Sequence, residues 1–309
     1  MNLLLKNIYG RKGVLKHLFF IYFLLLMVHS CTKEIPYPFD TKEKQTVITA
    51  LNNSVGNINV KVEESVNVLS TVGKSITDAQ VLLYTNNRLI DTLKAIKNAA
   101  TNQFYYQSST IPQYITDYSI KIILINGKIL SANDRVPNKI LINQLKINDK
   151  IFSVVDENNQ IRNYSTLSFQ ITDNEDDINY YEISVQQFYK QDNELIACYF
   201  PAKYISDSNL LNDSYLFLTD RSIVFSDQNI NGDTAHFELI FSPTSTHTSL
   251  NQSYVYIVDV KKISENYYLF LKDIVNQNTE KEPFNIFSNI QEGKGIFAFY
   301  VSQQDTLIP

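Results

Sequence analysis

The sequence predicts a mainly β protein: an N-terminal immunoglobulin-like β-sandwich followed by a second β-rich domain that carries one amphipathic helix. Three observations predict it. The chain holds 20 Tyr and 18 Phe, no Trp and only 2 Met, and aromatic residues suit a pleated, half-buried surface. Short stretches of apolar–polar alternation recur along its length, the period of a strand with one wet face. Turn residues, including Asn-Asn and Asn-Gly pairs, stand between those stretches. A hydrophobic share of 44% with 19% charged residues belongs to a packed core.

The first segment stands apart from that fold. Lys6, Arg11, Lys12 and Lys16 precede an unbroken apolar run from Leu18 to Val28, and His29-Ser30-Cys31 follows. A basic region, an apolar region and a small residue before a cut site make residues 1–30 a secretory signal. The run is shorter than the roughly 20 residues a membrane-spanning helix needs. Val28 and Ser30, on either side of His29, resemble the lipobox of bacterial lipoproteins, in which the cysteine is acylated and becomes the new N-terminus. Cys31 is therefore the expected lipid attachment site, and the membrane the first expected partner. The competing reading is an uncleaved N-terminal helix with an incidental cysteine. Attachment through more than one acyl chain is stable, because each buried methylene contributes about 0.8 kcal/mol and a single chain holds only marginally. Thr32 is not the aspartate that retains many lipoproteins at the inner membrane, which favours the outer membrane. Lys33-Glu34 only partly resembles the acidic tags that direct lipoproteins to the cell surface, so a periplasm-facing and a surface-exposed location both stay open.

Residues 31–44, with Pro36 and Pro38, read as an extended linker. Residues 45–137 carry the expected sandwich. Ile58, Val60 and Val62 alternate within Asn57 to Glu63. Ala79 to Thr85 and Arg88 to Leu93 flank Asn86-Asn87, while Tyr118 to Ile125 and Lys128 to Ser131 flank Asn126-Gly127. Asn-Gly between strands predicts a type I′ hairpin turn with positive φ at both central residues. Val136-Pro137-Asn138 marks the expected boundary. In residues 138–309 the alternation continues through Leu167, Phe169 and Ile171, then Tyr181, Ile183 and Val185. It returns in Ala235, Phe237, Leu239 and Phe241 and again in Tyr254, Tyr256, Val258 and Val260. The period then changes, for Ile263, Tyr267, Phe270, Leu271 and Ile274 fall at helical spacing, with Ser264 and Glu265 suited to a helix start. One helix over about 264–276 is predicted to pack on a sheet, with a final apolar strand over Gly293 to Val301. Cys198 lies in an apolar run and reads as a buried structural cysteine. A thiol consumed by lipid at Cys31 cannot pair with it, which leaves stability to the core.

An ordered set of short motifs runs through the second half: Asn179-Tyr180-Tyr181, Phe225-Ser226-Asp227, Glu265-Asn266-Tyr267-Tyr268, Ser288-Asn289-Ile290 and Gly293-Lys294-Gly295-Ile296-Phe297. In this order they resemble the lipoprotein family of the Bacteroidota known as domain of unknown function 4249. Members typically lie beside genes for TonB-dependent outer-membrane transporters, so the resemblance implies an envelope lipoprotein serving such a transporter. It implies no enzymatic residues.

Residues that might carry chemistry are few. Asp227, Asn229, Asn231 and Gly232, followed by Glu238, satisfy the calcium-loop pattern. Such a loop needs a helix on each side, whereas Arg221 to Phe225 and Ala235 to Phe241 read as strands, so a hairpin is the preferred reading. Asp173, Glu175, Asp176 and Asp177 read as a solvated turn. Past the signal, His236 and His247 are the only histidines, and His247 sits in the Ser/Thr-rich stretch Ser242 to Ser249. No nucleophile elbow, zinc-protease motif or phosphate-cradling glycine loop occurs. No catalytic, metal or cofactor residue is therefore assigned. A net charge of −5 argues against nucleic acid as a partner. The tyrosine pairs 105–106, 180–181 and 267–268 offer recognition material if one member of each faces outward. The sequence thus predicts a non-enzymatic, lipid-anchored envelope protein associated with a TonB-dependent transporter. A surface adhesion or glycan-binding module is the alternative, and a hydrolase built on scattered carboxylates ranks behind both.

Overall fold

In chain order the strands are β1 (Thr46–Asn53), β2 (Asn59–Glu64), β3 (Lys74–Ser75), β4 (Gln80–Thr85), β5 (Arg88–Lys97), β6 (Phe104–Gln107), β7 (Asp117–Ile123), β8 (Ile129–Arg135), β9 (Ile142–Val155), β10 (Ile161–Thr172), β11 (Tyr180–Gln191), β12 (Glu194–Ala197), β13 (Lys203–Ile205), β14 (Phe217–Leu218), β15 (Ile223–Ser226), β16 (Thr234–Ser242), β17 (Tyr254–Ile263) and β18 (Lys294–Leu307). One helix, α1, spans Glu265–Thr279 among the described residues. This computed structural model describes residues 44–66, 73–140, 142–155, 159, 161–172, 177–191, 194–197, 203–205, 217–219, 222–228, 234–242, 254–279 and 285–308. Among the described residues, the mainly β class with one helix is thus the observed one.

A large sheet has the order β14-β15-β11-β17-β18-β1-β2-β6-β5-β4-β7-β8, with β12 added to β11 and β3 to β2. A smaller sheet runs β13-β16-β10-β9. Among the described strands only β1 and β18 pair in parallel, with Ile48 opposite Gly295 and Ala50 opposite Phe297. The last strand therefore lies between β17 and the first strand. At β5 the chain changes partner: residues 88–93 pair with β4 and residues 94–97 with β6.

Alternation translates directly into burial. Val60 and Val62 of β2, Leu167, Phe169 and Ile171 of β10, Ile183 and Val185 of β11, and Val258 and Val260 of β17 all face one core. That core also takes Ile48, Leu83, Ile120 and Leu130, so residues from both sides of Val136-Pro137 contribute to it. Val136 is itself buried and exchanges backbone hydrogen bonds with the β7 side, accepting from Ile115 and donating to Thr116. β18 departs from strict alternation, because Ile296 to Phe299 are buried consecutively. Phe297 and Phe299 face the main core, while Ile296 and Ala298 face a second cluster built with Tyr267 and Tyr268 of α1. An unbroken apolar run is what a strand covered on both faces requires.

Helix α1 starts where the capping residues place it. The Ser264 hydroxyl accepts from the Tyr267 N–H at 3.4 Å, and the Ser264 carbonyl accepts from Tyr268 at 3.0 Å. Glu265 adds an acid to the first turn, where the helix dipole favours it.

The hairpins predicted at Asn86-Asn87 and Asn126-Gly127 form, with different turns. Asn86 and Asn87 have φ of 50° and 61°, and Thr85 pairs with Arg88, which is a two-residue turn with both central residues left-handed. At Asn126-Gly127 only Gly127 is left-handed, at 83°, which corrects the predicted type I′ geometry. There Gly127 N–H donates to Leu124 O at 2.9 Å and Leu124 N–H to Lys128 O at 2.9 Å. A turn followed by a left-handed glycine is the longer hairpin connection, and the Asn126 side chain serves it by accepting from the Lys128 N–H at 3.0 Å.

Candidate functional site

The end of β8, the start of β11 and the junction of β17 with α1 enclose an open cleft of about 1100 Å³. Its floor is a polar knot centred on Asp134. In β8 the alternation buries Leu130, Ala132 and Asp134, so a carboxylate occupies a core-facing position. One oxygen, Oδ1, accepts from Asn266 Nδ2 at 2.7 Å, and Oδ2 accepts from the Phe299 N–H at 2.7 Å. Burial pushes the Asp134 carboxyl up to about 7, against the pull of donors from Ser264, Phe299, Asn266 and Arg135.

Asn289 extends the knot. Its Nδ2 donates to Phe297 O at 2.7 Å and Asn133 O at 3.2 Å, while its Oδ1 accepts from the Phe297 N–H at 3.0 Å. Asn266 Nδ2 also reaches Asn133 O, at 3.2 Å. Beside it, Gln291 and Ser131 bond through both backbone and side chain, each at 2.8 Å. The motifs at Asn266, Asn289 and Gly295 thus meet at one place and bind β8 to α1 and β18. An acid with its proton held near neutrality at the floor of a cleft is a candidate acid–base group. Both Asp134 oxygens are committed to donors on other segments, so the geometry is that of a strut.

On the opposite wall, Asn179 and Asp227 form a second buried pair. Asp227 Oδ1 accepts from the Asn179 N–H at 2.7 Å, and the Asp227 N–H donates to Asn179 O at 3.0 Å. Here the hairpin preferred over the calcium-loop pattern is corrected: β15 and β16 flank it but lie in different sheets, β15 beside β11 and β16 beside β10, because each strand buries its face with a different partner, and the Asp227 carboxylate is held by backbone. Glu238 lies exposed on β16 opposite Ser168 in the smaller sheet. Residues 229–233 lie outside the described residues. Among the described residues no His, Cys, Asp and Glu side chains gather into a metal centre.

Behind the cleft, under α1, a charged cluster crosses three strands. Lys261 Nζ lies 2.8 Å from Glu182 Oε2 and 5.5 Å from the Tyr300 ring centre, and the Ser222 hydroxyl donates to Glu182 Oε1 at 2.9 Å. Burial by itself lowers the Lys261 amine, yet Glu182 and Asp259 hold it above its ordinary range. Burial pushes the Tyr267 hydroxyl up, and Glu182 adds to the shift.

The tyrosine pairs divide by element. On strands, Tyr106 and Tyr181 are buried while Tyr105 and Tyr180 are half-buried, as alternation expects. On α1 both Tyr267 and Tyr268 are buried, because the helix is covered by Tyr300 on one side and by Tyr180 and Phe217 on the other. Tyr180 turns toward the cleft, its hydroxyl 3.5 Å from Glu265 Oε1, and burial with the neighbouring Glu265 pushes it up to about 12.

Residues 32–306 match the family described as Domain of unknown function (DUF4249). The chain belongs to that family. The match opens beside Cys31 and, among the described residues, covers β1 to β17, α1 and all of β18 but Leu307. No curated protein matches the chain. Among solved structures, one described as manganese lipoxygenase of Gaeumannomyces graminis with a partial zonadhesin of Komagataella pastoris is 9% identical, covering 88% of this chain and 96% of the other. Its TM-score of 0.20 is too low to carry a structural argument.

Of the residues singled out in the sequence, Cys31, Cys198, His247 and Asp173 to Asp176 lie outside the described residues. His236 lies on β16 opposite Gln170, in the smaller sheet. Asp177 is exposed on the cleft wall, and its carbonyl accepts from Asn179 Nδ2 at 2.9 Å. Sequence reasoning missed Asp134. Its signal was a carboxylate in phase with Leu130 and Ala132 on the buried face of an alternating strand.

Proposed function

We propose that this chain is a non-enzymatic binding protein of the cell envelope, anchored in the outer membrane through lipid on Cys31 and associated with a TonB-dependent transporter. The observation that carries this reading is the join at residue 31. A basic and apolar export signal ends at a lipobox-like Val-His-Ser-Cys, and the family match begins at the next residue. A lipid anchor supplies membrane attachment that the folded part does not need to provide. No helix among the described residues is long and apolar enough to cross a membrane. The resemblance to envelope lipoproteins of the Bacteroidota supports the transporter as partner, and the change of partner along β5, from β4 to β6, supports an immunoglobulin-like sandwich over residues 45–137. The cleft above Asp134 is the binding surface in this reading.

Cys31→Ala tests the anchor. Metabolic labelling with a fatty acid should mark the parent protein and not the variant, and the variant should leave the membrane fraction. Persistent labelling of the variant would refute the anchor. Affinity isolation from membranes in mild detergent should recover a TonB-dependent transporter, and repeated recovery of none would refute that partnership.

A further inference from the structure

The geometry points to the cleft as the docking site of an extended polypeptide segment in which lysine or arginine alternates with aliphatic side chains. The inference rests on the binding-protein reading and adds the chemistry of what is bound. Three properties of the cleft lead to it. First, at about 1100 Å³ and open to solvent, it exceeds the usual range of small-molecule pockets, roughly 300–1,000 Å³. Second, its exposed charged side chains are Asp117, Asp177 and Glu265 against Arg135. Carboxylates therefore dominate the rim, and a cationic partner is the complement. Third, two aliphatic residues of the lining stand in solvent, Ile115 at 51% exposure and Ile178 at 46%.

Ile115 is the more telling of the two. It has φ of 58°, a left-handed conformation that a β-branched residue adopts only under constraint. Its N–H bonds to Val136 O at 3.0 Å, which holds the strained backbone in place and keeps the side chain at the cleft. Acidic and aliphatic groups are thus interspersed along the opening. An extended chain presents alternate side chains to opposite sides, about 3.3 Å apart along its length, and can answer both kinds of group at once. A neutral oligosaccharide would leave the rim carboxylates without a complement, and an anionic polymer would be repelled by them. The floor below is rigid, since Asp134, Ser264 and Asn266 are tied to one another and to β18.

The test uses the full-length protein in detergent at about 0.15 M salt, where long-range attraction between exposed charges is screened. A fluorescent peptide of alternating lysine and isoleucine should give a saturable rise in anisotropy, and its glutamate–isoleucine counterpart should not. Asp177→Asn combined with Glu265→Gln should weaken the lysine peptide about five- to tenfold, which is about 1.0–1.4 kcal/mol for the two rim charges together. Glu194→Gln with Glu238→Gln removes the same charge from exposed positions outside the cleft and should leave affinity unchanged. Arg135→Gln should tighten binding, so a result survives even if the double variant folds poorly. Equal weakening by the control pair, equal affinity for the glutamate peptide, or no saturable binding of the lysine peptide would overturn the inference. Fatty-acid labelling at Cys31 is read separately, so failure of the anchor and failure of the docking site are distinguishable.

Discussion

Gly295→Ala should destabilise the fold more than any other single methyl addition at a described glycine. Gly295 lies in β18 opposite Ile48 of β1, at the parallel pairing of the first and last described strands. Its φ is 110°, and an added Cβ would stand 1.9 Å from Ile48 O, 2.9 Å from Ile48 C and 3.0 Å from Ile48 N. Two costs therefore combine. Holding a residue with a side chain in that backbone region costs about 1–3 kcal/mol. Relieving contact with backbone atoms forces β1 away from β18, an overpacking cost of about 1–3 kcal/mol. The lower entropy of alanine in the unfolded chain offsets about 0.4–1 kcal/mol. The expected loss is about 2–5 kcal/mol, a large part of a typical stability of about 5–15 kcal/mol. Urea unfolding followed by tyrosine fluorescence measures it. Gly127→Ala separates the two terms, because Gly127 has φ of 83° with nothing within 4 Å of the added methyl, and should lose about 1 kcal/mol or somewhat more. Gly56→Ala, with open space and no left-handed φ, should change stability little. A Gly295→Ala protein within about 0.5 kcal/mol of the parent, or no less stable than Gly127→Ala, would refute the reasoning.

Asn289→Ala removes three hydrogen bonds to Phe297 and Asn133 and should cost about 2–3 kcal/mol in urea unfolding; a loss below about 0.5 kcal/mol would show that the knot is incidental. Folding raises the Asp134 carboxyl from 3.8 to about 7, so the folded state binds that proton more tightly than the unfolded chain. Its contribution is fully present below 3.8 and lost as the pH rises through about 7, an effect on the order of 4 kcal/mol. Asp134→Asn should flatten the fall in stability across that window, and an unchanged pH profile would count against it. Lys261→Met leaves Glu182 buried without its cation and should cost about 3–5 kcal/mol, most of it recovered by adding Glu182→Gln. Additive losses in that pair of variants would contradict the coupling.

Much of the fold was legible because burial is written into the period of the chain. Val60 and Val62, Leu167 to Ile171, and Val258 and Val260 could be assigned an inward face without knowing what they face. The change of period at Ile263 and the capping chemistry of Ser264 placed α1 within a residue at its start, while its end ran on to Thr279. Turn geometry was less legible. Asn126-Gly127 specified a hairpin but not its type, since the length of the connection and the Leu124–Lys128 bond decided which residues turn left-handed. The candidate site was hardly legible. Asp134 looked like one polar residue among many, and nothing local announces that Asn266 and Asn289 converge on it and its neighbour from more than 130 positions away.

By itself, then, the sequence determined the mainly β class, the inward faces of the strands and the one helix of the described residues. Each of these depends on residues within a few positions of one another, where period, turn propensity and hydropathy act directly. Only the tertiary structure decided that β18 inserts beside β1, that Asn266 and the Phe299 N–H meet on Asp134 while Asn289 ties Asn133 to Phe297, and that a cleft opens above them. Those features depend on which buried faces meet. A strand pattern encodes that a face must be covered, and the covering partner is chosen by shape and by satisfied polar groups across the whole chain.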